Sequence, residues 1–322
     1  MTCDFLELAA PGVRSLQPYQ PGKPEDELRR ELGLNEIVKL ASNENPLGPS
    51  PQALAAIREA TTDLARYPDG NGYALKRTLA EHHDVAPESI TLGNGSNDIL
   101  ELIARTFLTP AHEAVFSAHA FAVYPLAVQA VGAQARVVPA LGDDSAMPRG
   151  HDLDGFLDRI GPDTRICFIA NPNNPTGTWL GPAALERFLE ALPTRVLAVL
   201  DEAYFEYAED DDYASALPWL ERFPNLIVTR TFSKAYGLAG LRVGYGLSQP
   251  AVADLLNRVR QPFNVNTLAQ QAALAALADR DHLARSRAVN RAGLAQLREA
   301  CLARGLEVLP SAANFLCLGL GR

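Results

Sequence analysis

Cysteine is scarce in this sequence, at 4 of 322 residues, and Cys3, Cys167, Cys301 and Cys317 stand in no C-x-x-C spacing. That excludes a zinc knuckle and a redox dithiol, and the four thiols are expected to be buried and inert. No stretch approaches the ~18 consecutive apolar residues of a membrane-crossing helix. The start, Met1-Thr2-Cys3-Asp4-Phe5, has neither the basic segment nor the apolar run of a secretory leader, so a cytoplasmic protein is expected. Positive charge is in deficit. Lys and Arg number 29 against 38 Asp and Glu, a net of −9, and no basic stripe offsets it, which argues against a nucleic-acid partner. There is no fixed-period repeat and no low-complexity tract. The nearest approach, the acidic run Glu209 to Asp212, reads as a solvated loop.

What is present is an ordinary globular composition, 47% apolar and 21% charged, in a chain longer than one core usually supports. Two domains, or a large domain with a smaller companion, are expected. Residues 11–51 are rich in proline and asparagine and read as an arm packed on something else. From Pro51 the pattern becomes helical, as at Ala53 to Ala65, and alternates with short β-branched runs, which predicts an α/β fold with a mostly parallel sheet. Buried parallel strands are expected at Ile90-Thr91-Leu92, Ile166 to Ala170, Val196 to Leu200 and Leu226 to Thr229. Helices are expected at Ala251 to Gln261, Leu268 to Asp279 and Asp281 to Arg304. Two further strands, Glu307-Val308-Leu309 and Phe315 to Leu318, are assigned to a smaller unit.

Ligands of open α/β sheets sit beyond the carboxyl ends of the strands, so the residues that follow each run carry the functional reading. After the first comes Gly93-Asn94-Gly95-Ser96-Asn97 and a helix, a turn whose free N–H groups suit a phosphate. It is neither a dinucleotide fingerprint nor a Walker A loop, because Asp98 replaces the third glycine and no lysine follows. After the second comes Asn171-Pro172-Asn173-Asn174-Pro175-Thr176-Gly177, a stiff turn with free amide donors. The third runs into Asp201-Glu202-Ala203-Tyr204, which buries a carboxylate that needs a cationic partner. A protonated pyridine nitrogen is such a partner, with Tyr204 in reach of the same ring's phenolic oxygen. After the fourth, Lys234 lies among small residues and glycines, a poor surface lysine and a good candidate for imine formation. Thr231, Ser233 and Arg242 add phosphate donors. Phosphate donors, a buried acid and a reactive amine are the three demands pyridoxal phosphate makes on a protein.

With these motifs the sequence resembles the fold-type I pyridoxal-phosphate aminotransferases, through N-N-P-T-G at 173–177, D-E-A-Y at 201–204 and S-K-x-x-G-L-A-G-L-R at 233–242. Three motifs of the first seventy residues, P-Y-x-P-G-K-P at 18–24, K-L-A-S-N-E-N-P-L-G-P-S-P at 39–51 and R-Y-P-D at 66–69, are most similar to the histidinol-phosphate aminotransferase family, of the class II subfamily. The resemblance implies Lys234 as the residue that carries the cofactor, Asp201 opposite the ring nitrogen, and Tyr204 and Asn174 at the ring oxygen. It implies Ser96, Asn97, Thr231, Ser233 and Arg242 around the phosphate and Tyr124 as the aromatic stacked on the ring. Tyr67 would reach the cofactor phosphate of a second subunit, so a homodimer is implied, while Tyr19 and Asn43, with Asn174, would lie near the substrate. The implied reaction is transamination of histidinol phosphate with 2-oxoglutarate. Related enzymes that act on aromatic amino acids, or that decarboxylate phosphothreonine, are the alternatives. The implied division is an arm with part of the small domain at 1–51, a large cofactor-binding domain at 52–270 and a small domain at 271–322. That family continues past the strand near 315–318 to an arginine for the substrate anion. Arg322 does not match it, so a truncated sequence is expected.

Overall fold

Strands such as Ile166 to Ala170 are apolar on both faces because the sheet they form is covered on both. Along this run Cys167 and Ile169 enter one core with Leu200, Val228 and Phe188, while Ile166, Phe168 and Ala170 enter a second core with Ile99, Val199 and Ile227. The computed structural model describes residues 3–210 and 212–321. Its larger sheet has seven strands: β1 (Ile90–Gly93), β2 (Glu113–Ser117), β3 (Gln134–Val138), β4 (Thr164–Ala170), β5 (Leu197–Asp201), β6 (Leu226–Thr231) and β7 (Gly244–Ser248). They lie in the order β1-β7-β6-β5-β4-β2-β3. Pairing is parallel from β3 across to β6, and β7 runs antiparallel to both β6 and β1. The fold is α/β.

Three of these strands have no clear signal in the sequence. β3 is an edge strand exposed along four of its five residues, and β2 begins on Glu113. β7 is Gly-Tyr-Gly-Leu-Ser, and glycine weakens any strand pattern. Gly244 is needed there for space: a Cβ would stand 2.4 Å from the Ser96 backbone nitrogen and 2.9 Å from the Arg230 carbonyl oxygen. Gly244→Ala is therefore expected to destabilise the protein by about 1–3 kcal/mol and to push the Ser96 helix end out of place. A thermal melt and an anion-binding titration check this; an unchanged melting point and affinity would show that the contact gives way freely.

The helix expected at Ala53 to Ala65 is shorter. It runs Pro51–Ala60, with Ser50 as its cap, and a 3₁₀ turn Thr61–Asp63 follows. The hydroxyls of Thr61 and Thr62 bond back to the carbonyls of Arg58 and Glu59, at 2.6 and 2.8 Å, and end the regular helix. Helices Pro250–Val259, Thr267–Ala278 and Arg280–Leu302 match the expected ones to within three residues. The final strands β8 (Glu307–Val308) and β9 (Leu318–Gly319) pair antiparallel, and residues 315–317, expected as strand, precede β9 as irregular chain. Of the four cysteines expected to be buried, only Cys167 is; Cys3 is exposed and Cys301 and Cys317 are half-buried. Asp210 and Asp212 of the acidic run are described; Asp211 and Arg322 lie outside the described residues.

Part of the arm folds over the end of the sheet. Asn45 Nδ2 donates to the Ala235 carbonyl and the Ser286 hydroxyl, at 2.8 and 2.9 Å. At Gly237, where φ is +70°, a Cβ would stand 2.2 Å from the Gly48 carbonyl oxygen. This close approach lays Ser42 and Asn43 across the loop that carries Lys234.

Candidate active site

The carboxyl ends of β1, β4, β5 and β6 open onto one cavity of about 660 Å³. β5 extends one residue further than expected, so Asp201 is its last residue, 4% exposed, rather than the first of the following loop. Its Oδ2 accepts a hydrogen bond from the Tyr124 hydroxyl at 2.9 Å and its Oδ1 one from Thr229 Oγ1 at 3.1 Å. Among the described residues no cation lies within ion-pair distance. Burial accordingly pushes the Asp201 carboxyl up to about 6, against the pull of the two hydroxyl donors. A buried carboxylate with donors but no cation fits a positively charged ring nitrogen in the cavity.

Its neighbour Glu202 shows the contrast. It points away from the cavity into a closed ion pair with Arg230, 2.8 Å apart, and also accepts bonds from Ser215 and the Ala216 N–H. Cation and acid satisfy one another there, so of two adjacent buried acids only Asp201 is left for a ligand.

Lys234 lies in the loop after β6. Its Nζ donates to the Ser42 carbonyl at 2.9 Å and lies above the Tyr204 ring, 5.6 Å from the centroid. Burial, aided by the Arg242 and Lys39 charges, brings the amine down to about 8, with Glu44 and Asp201 opposing. It is poised to lose its proton near neutrality, as a nucleophilic amine must. Tyr204 is 3% exposed, and its hydroxyl accepts from Asn43 Nδ2 at 3.1 Å and Asn174 Nδ2 at 3.2 Å. Burial pushes that phenol up to about 12.

At the opposite side Ser96 and Asn97 begin the helix Ser96–Phe107, with Gly95 in front at φ +86°. The first-turn N–H groups of such a helix lack internal acceptors. A Cβ on Gly95 would meet Arg242 Nη2 at 2.4 Å, so glycine lets the guanidinium lie against this turn. Arg242 Nη1 also donates to Ser233 Oγ at 3.4 Å, and the Ser233 N–H donates to Thr231 Oγ1 at 3.1 Å. Two hydroxyls, a guanidinium and a helix N-terminus converge into a cup for a dianion.

The cavity is thus lined by Ser96, Asn97, Asn174, Asp201, Tyr204, Thr231, Ser233, Lys234 and Arg242, and by Asn43 and Tyr19 from the arm. Two expected residues do not line it. Tyr124, expected to stack on the ring, is instead fully buried beneath the cavity, stacked on Phe168 of β4 with centroids 5.0 Å apart, and its hydroxyl is committed to Asp201. Phe121, three residues earlier, takes the cavity wall. Sequence spacing does not tell the two aromatics apart, because the turn into the helix Val123–Ala130 decides which of them faces in. Tyr67 is 82% exposed, stacked on Phe263 outside the cavity. Two further contributors are invisible to sequence reasoning. The Ser42 carbonyl is a backbone atom with no sequence signal, and Thr229 becomes visible only through its register partner, Asp201.

A phosphate cup, an unpaired buried acid and an amine of lowered basicity around one cavity fit pyridoxal phosphate, and with this fold they define a fold-type I enzyme of that cofactor. Residues 35–322 match the family of class I and II aminotransferases. The chain belongs to that family and, within it, among the histidinol-phosphate aminotransferases. It is 62% identical to histidinol-phosphate aminotransferase 2 of Pseudomonas fluorescens strain Pf0-1, over 100% of this chain and 86% of that protein. It is 57% identical to histidinol-phosphate aminotransferase 1 of Nitrosococcus oceani, over 97% of this chain and 83% of that one. Its structure is similar to that of histidinol-phosphate aminotransferase from Sinorhizobium meliloti in complex with pyridoxal-5'-phosphate, with a TM-score of 0.88 and 34% identity over 97% of this chain and 82% of that chain. An aspartate aminotransferase from Thermus thermophilus with maleate, at 22% identity, shares the fold with a TM-score of 0.82, over 96% of this chain and 84% of that chain.

Proposed function

We propose that this chain transaminates histidinol phosphate with 2-oxoglutarate, giving imidazole acetol phosphate and glutamate, as a cytoplasmic homodimer in histidine biosynthesis. The observation that carries the reading is that Lys234, Asp201 and the Ser96–Arg242 cup share one cavity, over which the arm residues Tyr19 and Asn43 lie.

Ser96, Asn97, Thr231, Ser233 and Arg242 would bind the cofactor phosphate, and Tyr204 with Asn174 would meet the ring hydroxyl. When bound, pyridoxal phosphate supplies the electron sink that lets the Cα–H bond of the amino substrate ionise. Asp201 places a buried negative charge where a proton on the ring nitrogen is to be held. Lys234 Nζ, uncharged above about pH 8, is the base that takes the proton from the substrate Cα. The Ser42 carbonyl accepts from that amine and orients it, and Phe121 lines the wall of the cavity the ring would occupy. Tyr19, at 60% exposed, stands at the mouth, where a substrate would enter.

The reading is tested by supplying purified protein and pyridoxal phosphate with histidinol phosphate and 2-oxoglutarate and following glutamate. Faster turnover of phenylalanine, or release of carbon dioxide from phosphothreonine, would overturn the substrate assignment while leaving the cofactor in place.

Tyr67 supports the dimer, because its ring, 82% exposed, stacks on Phe263 at the surface, and Val38 and Leu40 are exposed apolar residues, at 82% and 88%. Hybrid dimers check it. If Tyr67 acts in the neighbouring site, mixing Lys234→Ala with Tyr67→Phe subunits leaves one site with both residues intact, and activity rises above that of either variant alone. Activity no greater than the average of the two parents would place Tyr67 in its own site or in none.

In the division we propose, the arm ends at 51 and the large cofactor-binding domain begins at 52. The second boundary, expected at 270, is better placed near Asp279. Residues Ala269, Ala272, Ala273 and Ala276 of the helix Thr267–Ala278 belong to the same core as Leu75 and Ala53, and Asp279 caps the helix that follows.

A further inference from the structure

We propose that Tyr124 is a positioning residue for the reaction: through its hydrogen bond to Asp201 it keeps that carboxylate ionised and aimed, and so keeps the proton on the cofactor's ring nitrogen. The inference rests on the pyridoxal-phosphate reading above, and it assigns Tyr124 a part that neither ring stacking nor core packing would give it.

Tyr124 has no exposure to solvent, so its hydroxyl must find its acceptor inside the protein, and the acceptor it has is Asp201 Oδ2 at 2.9 Å. The ring cannot swing away. It lies flat on Phe168, 9° from parallel, and meets Phe121 edge-on at 5.9 Å between centroids. Thr229 holds the other oxygen of the carboxylate. Each oxygen therefore accepts one side-chain hydroxyl, the Ala203 backbone N–H bonds to the carboxylate as well, and lone pairs remain for the ligand in the cavity. The charged and titratable groups that bear on Asp201 are Glu202 just past the end of its strand, Lys234 on the loop after β6, and the phenols of Tyr124 and Tyr204. Tyr124 and Thr229 are the side chains that bond to it. A hydroxyl that donates to a carboxylate stabilises the ionised form, so without Tyr124 the shared proton moves from the ring nitrogen toward Asp201, and the ring becomes a poorer electron sink.

Tyr124→Phe keeps the stacked ring and deletes only the donor. The primary readout is the NMR shift of the ring nitrogen in isotope-labelled pyridoxal phosphate bound to wild type and variant. The variant is expected to move toward the unprotonated value, with kcat reduced roughly 10–100-fold, the range of a hydrogen bond to a buried charge, and KM little changed. Thr229→Val should move the shift in the same direction. Phe168→Leu, which loosens the ring but leaves the donor, should lower the melting temperature without moving the shift. A folded Tyr124→Phe protein whose ring nitrogen has the wild-type shift overturns the inference; wild-type protein that binds no pyridoxal phosphate overturns the reading beneath it instead.

Discussion

Asp201→Asn is expected to stabilise the cofactor-free protein while reducing turnover by roughly 10²–10³-fold, the loss typical when one preorganised electrostatic contact to a developing charge is removed. Both effects have one cause. Asp201 is 4% exposed, meets no cation among the described residues, and has its pKa raised from 3.8 to about 6 by burial. A carboxyl whose folded pKa is raised binds more protons folded than unfolded between those two values. Stability therefore falls as pH rises through that window, and the full cost, about 3 kcal/mol for a shift of roughly two units, is present above it. Asparagine cannot ionise and escapes this cost; of the Tyr124 and Thr229 hydroxyls, one can keep donating to its amide oxygen while the other turns to accept from its NH2. Urea denaturation of the cofactor-free proteins checks it. The variant should be the more stable near pH 7, by up to about 3 kcal/mol, and the gap should close near pH 4. Equal stabilities at both pH values, or turnover within tenfold of wild type, would show that Asp201 is not the acid held in readiness for the ring.

Lys234→Ala should cost more. In the proposed reaction the amine is both the attachment point and the base, and removing it should lower transamination by roughly 10⁴-fold. Borohydride reduction of the wild-type holoprotein should fix the cofactor on the peptide that contains Lys234, and the alanine variant should yield no such adduct. The wild-type amine, brought down to about 8, should react with aldehydes at a rate that climbs as pH rises through that value. Reduction that labels a different lysine, or a rate flat across that range, would remove Lys234 from the chemistry.

Much of the site is legible in the order of residues alone. Ser96, Asn174, Asp201, Lys234 and Arg242 each stand next to a recognisable strand end, and strand ends of a parallel sheet converge on one edge, so the succession of motifs already assembles the cavity. Legibility ends where a side chain's direction matters. Phe121 and Tyr124 are both aromatics in one short motif, and only the angle at which the helix Val123–Ala130 leaves the sheet puts Phe121 in the wall and Tyr124 underneath. It ends again at β7, because a strand that exists to let Ser96 and Arg230 approach closely is built from glycine and lacks the pattern of a strand.

The sequence by itself determined the chemistry: which acid, which amine and which phosphate donors exist, and that they lie at strand ends, since those are local properties of residue type and short-range order. Only the tertiary structure decided how those groups are tuned. Among the described residues Asp201 is left without a cation while Glu202, one residue on, is paired with Arg230, and Lys234 is brought under the Ser42 carbonyl from 192 positions away. Desolvation and long-range contact belong to the assembled sheet and arm, and no window of sequence contains them.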